Sequence, residues 1–334
     1  MHFKRSVSTP MKRVYTMFGR GLLGAFVVFL AFSVHADDPL RALLAAKTSE
    51  SLSLGGPLDG SLERSVPFPD RGPGFRKTSR RPEARYGTVE VVRGVVRAAM
   101  KVEALLPGGE LLVNDLSLER GGPIDRHESH RAGRDVDVLF YLLDEKGEPM
   151  PSVAAILDPR GEGVDFRDPA DPSDDVKVRL DVARTFRFLE ALALDEEARL
   201  QRVFIAEHLR TLILEHGKKV GGDPTALARL EMMMCQPGTP HDDHLHLRFF
   251  CSVDDLRKGC EDAAPIYPYQ RAFLRAEGLR PKLNRPRPDR PRSRTVSVEE
   301  ARAAAGPLHE DVIAFLERRN EWIRPPKTGR PYCR

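Results

Sequence analysis

The sequence predicts an α+β fold, with a small antiparallel sheet flanked by helices and long loops. Three observations carry this. The stretches "DVDVLF" (135–140) and "HLHLRFF" (244–250) alternate between faces with period two, as strands with one buried face do. "GTVEVVRGVVRAAMKVEA" (87–104) repeats Val and Met at helical spacing, giving an amphipathic helix. The stretches 53–84 and 144–177 are rich in Gly, Pro and polar residues, with no periodic apolar face.

Taken in order, residues 1–36 have the features of a signal peptide. Lys4, Arg5, Lys12, Arg13 and Arg20 precede the apolar run "GLLGAFVVFLAF", and Val34 and Ala36 supply a small-residue cleavage site. That run is shorter than the roughly 20 residues a membrane span needs; an uncleaved anchor is the alternative. Residues 37–48 read as a helix and 53–84 as loop. After the helix 87–104 comes a strand, "ELLVNDLSL", then a His-rich loop and a strand over 135–143. Residues 144–177 form a long polar excursion, a functional loop or a disordered one. Helix 178–197, strand "QRVFIA" and helix 207–217 lead to the strand at 244–250. "RPKLNRPRPDRPRSR" is a linker that cannot build a core. Ser297 and Glu300 then form a capping box, followed by the helix "DVIAFLERRNEWI". No internal repeat is visible. The domains expected are a signal peptide (1–36), a main domain (37–280) and a linker with helical tail (281–334).

The chain has 53 basic and 49 acidic side chains. Five of the basic residues and none of the acidic ones fall in 1–36, leaving 48 against 49. The apparent basicity belongs to the leader, so nothing points to nucleic acid. After leader removal no segment is long and apolar enough to span a membrane. Cys235, Cys251, Cys260 and Cys333 in an exported chain suggest two disulfides, with three possible pairings. Cys251–Cys260 is favoured because it closes a short loop around a turn.

Five of the ten histidines fall in "HESHRAGRDVDVLF" (127–140) and "HDDHLHLRFF" (241–250). On strands, His244, His246 and Arg248 share one face, and Asp135 and Asp137 share another. If the strands are neighbours, imidazoles and carboxylates converge. Such groups suit zinc at a catalytic site with three protein ligands and one open position, the best set being His130, Asp137 and His246. A water there would have its pKa lowered to about 7. The competing readings are a metal-free polar cluster and a structural ion. The closed, Cys-rich sets of structural zinc are not met here, because the cysteines lie elsewhere. Ser129 beside His130 lacks the surroundings of a nucleophile elbow. His2, His35, His208, His216 and His309 read as solvated surface residues.

The paired motifs, H-x-x-H-x-x-G-x-D-x-D and H-x-x-H-x-H, resemble those of the penicillin-insensitive murein endopeptidases. These belong with the zinc peptidases that include lysostaphin-type and D-Ala-D-Ala metallopeptidases. "RYGTVEVVRGVVRAAMKV", "LLVNDLSLERGG" and "CSVDDLRKGCED" are also similar to family segments, so the resemblance covers roughly 50–265. It implies zinc on a sheet face, held by His130, Asp137 and His246, and the absence of a downstream histidine leaves one zinc per chain as the expectation. His244 would be the base or transition-state stabiliser, His241 a substrate-orienting histidine, and His127 an auxiliary group near the metal. Two departures stand out. The chain lacks a His between 131 and 207 for the family's second, weaker metal pair, and it has no cysteine before Cys235.

The function implied is an exported, periplasmic zinc D,D-endopeptidase acting on peptidoglycan cross-links. One alternative is a zinc D,D- or L,D-carboxypeptidase, with Arg131 or Arg248 binding the terminal carboxylate. The other is a non-catalytic wall-binding module.

Overall fold

The computed structural model describes residues 39–78, 81–285, 297–323 and Cys333. The expected leader, and the Pro/Arg run from residue 286 onward, lie outside these.

A seven-stranded sheet runs in the order Met234–Cys235, Leu200–Phe204, His244–Phe249, Asp135–Leu139, Leu111–Val113, Phe75–Lys77, Arg71–Gly72. It is larger than expected, and it is mixed. Leu200–Phe204, His244–Phe249, Asp135–Leu139 and Leu111–Val113 pair antiparallel in turn. Leu200–Phe204 is parallel to Met234–Cys235, however, and Phe75–Lys77 is parallel to Leu111–Val113. The reason is the connection. Parallel neighbours need a crossover of a dozen or more residues. Helix Val89–Leu105 supplies one, and helices Glu207–Lys219 and Pro224–Met233 supply the other. Phe75–Lys77 lies inside the stretch expected to be loop, and three residues are too few to show a period.

Val136, Val138, Leu245, Leu247 and Phe249 turn into one core with Val91, Val95 and Val102 of helix Val89–Leu105 and Phe186, Phe188 and Leu189 of Val182–Leu194. Burying each such side chain contributes about 1.5–3 kcal/mol. That packing leaves the other face of the two central strands to the polar residues.

The excursion over 144–177 is folded. Five antiparallel strands run in the order Pro149–Met150, Leu142–Leu143, Lys177–Leu180, Glu162–Val164, Ile156–Leu157. Two of its turns repeat one device, D-x-x-G-E at 144–148 and again at 158–162. In both, the aspartate Oδ1 accepts from the backbone two and four residues on, at 2.8–2.9 Å. Gly147 and Gly161 take φ of 84° and 76°, a left-handed conformation that favours glycine. The helix expected over 178–197 starts only at Val182, because Lys177–Leu180 is strand and Asp181 is the helix cap.

Fully buried Arg134 joins distant segments. Its guanidinium donates to Ser53 Oγ (3.0 Å), Phe249 O (3.0 Å) and Glu261 O (2.9 Å), and lies 3.5 Å from Asp262 Oδ1. Disulfides join Cys251 to Cys260 and Cys235 to Cys333. The Ser297–Glu300 capping box is present. Helix Glu310–Trp322 buries Val312 and Phe315, with Phe315 edge-on to Phe166. Among the described residues no helix is long and apolar enough to cross a membrane.

Candidate metal centre

The antiparallel register sets His246 directly opposite Asp137, and Arg248 opposite Asp135. Directly paired residues share a face, so the imidazole strand and the carboxylate strand meet as the spacing predicts. Asp137 is the hub. Its Oδ1 lies 3.2 Å from His246 Nδ1, 3.4 Å from His130 Nε2 and 3.7 Å from His244 Nε2, while its Oδ2 lies 3.7 Å from His127 Nδ1.

Each ring is oriented by a second contact. His130 Nδ1 donates to Leu116 O at 2.8 Å, which leaves the Nε2 lone pair facing Asp137. His246 Nε2 donates to Asp135 Oδ1 at 2.9 Å, leaving Nδ1. His127 Nε2 meets Asp115 Oδ2 at 3.0 Å, and that carboxylate also takes Arg81 at 3.2 Å. His244 Nδ1 meets Asp243 Oδ1 at 2.7 Å. Hydrogen bonds of this kind fix which nitrogen is free to bind a metal.

His130 comes from a loop, not a strand, and its φ is +64°. Ser117 holds that turn, because its hydroxyl donates to His130 O (2.5 Å) and accepts from Gly133 N (2.9 Å). Gly133 has φ +72°, and a Cβ there would sit 2.6 Å from Leu62 Cδ1. This is the physical reason for glycine within H-x-x-G-x-D.

Burial alone would raise both strand carboxyls, but the cations and hydrogen-bond donors around them outweigh it. The Arg248 guanidinium and the N–H that His246 donates hold Asp135 far below the usual range, and His130 and His244 do the same for Asp137. Burial pushes His246 down to about 3, and burial with His244 alongside pushes His241 down to about 4. Both are therefore neutral imidazoles at pH 7. His244 goes the other way, to about 9, because Asp243 and Asp137 outweigh its burial.

Among the described residues, His127, His130 and Asp137 are the group whose ligand atoms all lie within 4.8 Å of one another. They could hold a metal ion. His130 Nε2 and Asp137 Oδ1 are buried with no hydrogen-bond partner among the described residues, as two ligand atoms would be. The donors and their free atoms fit a metal.

The remaining expected residues lie around this cluster or apart from it. His241 Nδ1 meets Thr239 O at 2.7 Å, with its ring centroid 4.8 Å from that of His244. Arg248 Nε donates to Asp135 at 2.7 Å and its guanidinium stacks over Phe204. Arg131 is buried, and the carboxylates acting on its charge are Asp59 and Glu128, not those of the cluster. His208 is half-buried, its Nε2 3.0 Å from Leu157 O, and so is not a solvated histidine. Sequence reasoning gave no role to Asp115 or Asp243, and named Asp135 only as sharing a face with Asp137. Asp243 was within reach, as the acidic neighbour in "HDDH". Asp115 carried no such signal.

A sheet face carrying histidines and a carboxylate able to hold a metal defines a candidate metallohydrolase. Residues 53–272 match the model of the penicillin-insensitive murein endopeptidases, and the chain belongs to that family of peptidases. No curated protein matches the chain.

Proposed function

We propose that the chain is an exported zinc D,D-endopeptidase that cuts peptide cross-links in peptidoglycan. The observation that carries this is the convergence of His130 Nε2 and His246 Nδ1 on Asp137 Oδ1. It stands beside a family match over 53–272. We assign His130, Asp137 and His246 as ligands of one zinc. His127 is the auxiliary group: its Nδ1 stands 3.7 Å from Asp137, farther than the ring nitrogens of His130 and His246. Zinc bound there would act as a Lewis acid on the scissile carbonyl and make water acidic enough to attack near neutral pH.

The chain's own groups do the rest. Asp243 orients His244 and favours its protonated form, so Nε2 can give a proton to the leaving amine or face the charge growing on the carbonyl oxygen. Neutral His241, beside it, would orient the substrate. No serine is acylated on this route, so β-lactams have nothing to trap. The leader over 1–36 would deliver the peptidase domain (37–280) and its extension (281–334) to the periplasm.

A carboxypeptidase would need a cation for the terminal carboxylate. Arg248 is committed to Asp135, and Arg131 is a buried guanidinium influenced by Asp59 and Glu128 rather than by the cluster. This favours the endopeptidase. Purified protein should release cross-link-cleaved muropeptides from intact sacculi, and a chelator should stop it. Release of terminal D-alanine alone would establish the carboxypeptidase instead, and binding without turnover the wall-binding module.

A further inference from the structure

His241 has φ +41°, a backbone conformation uncommon for a residue with a side chain. Such conformations persist only where the surroundings over-determine them. Two backbone bonds pin the turn from inside the domain: Ala206 N donates to His241 O at 3.0 Å, and Leu157 N to Asp242 O at 2.9 Å. The third restraint comes from elsewhere. The Asp242 side chain is fully buried, and a buried carboxylate needs a partner. That partner is Arg319 on helix Glu310–Trp322, with Nε 2.8 Å from Oδ2 and Nη2 2.7 Å from Oδ1. A two-pronged contact of this kind fixes geometry as well as charge.

Ile323 and Cys333 hold the start of the loop. Gln236 Nε2 donates to Ile323 O at 3.2 Å, Cys333 N donates to Gln236 O at 3.3 Å, and Cys333 is bonded to Cys235. All of these tail residues lie beyond 272, outside the stretch that the family model matches.

We infer that helix Glu310–Trp322, together with Ile323 and Cys333, is a clamp on the 236–244 loop, with Arg319 as the positioning residue that keeps His241 and His244 in their working places. The effect on rate rests on the endopeptidase reading; the clamp itself does not. A helix that merely covered apolar surface would need Phe315 and Val312, but no fork on the loop's carboxylate.

The test compares full-length Arg319→Met, Arg319→Lys and Asp242→Asn with wild type by site-resolved hydrogen exchange and by kcat and KM on a cross-linked muropeptide at saturating zinc. In Arg319→Met and Asp242→Asn, the amides of Leu157 and Ala206 should exchange at least about tenfold faster, while those of Asp135–Leu139 keep their protection. Arg319→Met should lose about 10–100-fold in kcat with KM little changed, as expected when catalytic groups shift by about an ångström. Arg319→Lys, which keeps the charge without the fork, should fall between. Unchanged protection at Leu157 and Ala206 in both variants overturns the clamp. A loosened loop with wild-type kcat overturns the positioning role. If wild type cleaves no muropeptide, the endopeptidase reading fails on its own, and the exchange data still decide the clamp.

Discussion

The two histidine-bearing stretches reach Asp137 by different means. His246 stands on a strand, where the register opposite Asp137 and a bond to Asp135 place it. His130 stands on a loop with a left-handed backbone, and Ser117 and the carbonyl of Leu116 place it. A strand residue inherits its position from the sheet, whereas a loop residue needs dedicated anchors. His127 and His241 fit the loop pattern, held by Asp115 and by the Asp242 turn.

The contrast is tested most directly at the third ligand, where strand and loop compete. His246→Ala should abolish both stoichiometric zinc and activity. His127→Ala should keep its zinc when the metal is saturating, with affinity weakened by about 10–100-fold. Elemental analysis after dialysis reads both, and the reverse pattern would move the ligand assignment onto the loop. Next in size is His244→Ala. It should retain zinc, because the three assigned ligands remain, yet lose about 10²–10⁴-fold in turnover on sacculi. A zinc-saturated variant working at the wild-type rate would remove His244 from the chemistry.

The strand side was the legible one. Period-two spacing placed Asp135 with Asp137 and His244 with His246 on shared faces, and the pairing His246↔Asp137 comes naturally once the strands are neighbours. The loop side was legible only as residue types, because its anchors are far away in sequence or look ordinary: Ser117 to His130, Asp115 to His127, Arg319 to Asp242. The sheet's size was hidden for a related reason. Strands such as Phe75–Lys77 and Met234–Cys235 are too short to carry a period, and their parallel pairing is set by the helices between them. The fold over 144–177 was missed because its strands are two to four residues long and its repeat lies in the turns.

Two smaller effects sharpen the contrast. Asp135→Asn keeps the shape but removes the charge that orients His246, so zinc affinity should drop by about 10–100-fold in competition with a chelating dye. Unaltered affinity would show that the sheet alone orients the ring. Ser117→Ala strips the anchor of the His130 turn and leaves the buried Gly133 N–H without its acceptor. The cost should be about 1–3 kcal/mol in denaturant unfolding, with metal still bound at saturation. A stability equal to wild type would mean that the turn holds itself.

Arg134 occupies one of the unremarked positions between His130 and Asp135, yet it reaches Ser53, Phe249, Glu261 and Asp262. In evolutionary terms it is not a free spacer. Replacing it takes the guanidinium away from a buried carboxylate at 262 and from a hydroxyl at 53, so a change at any of these positions is felt at the others. A minimal fragment chosen around the histidines alone would cut that bond network. A piece that keeps this network must begin no later than residue 53 and run past residue 262, bounds that the matched stretch 53–272 satisfies, the first of them at its very limit.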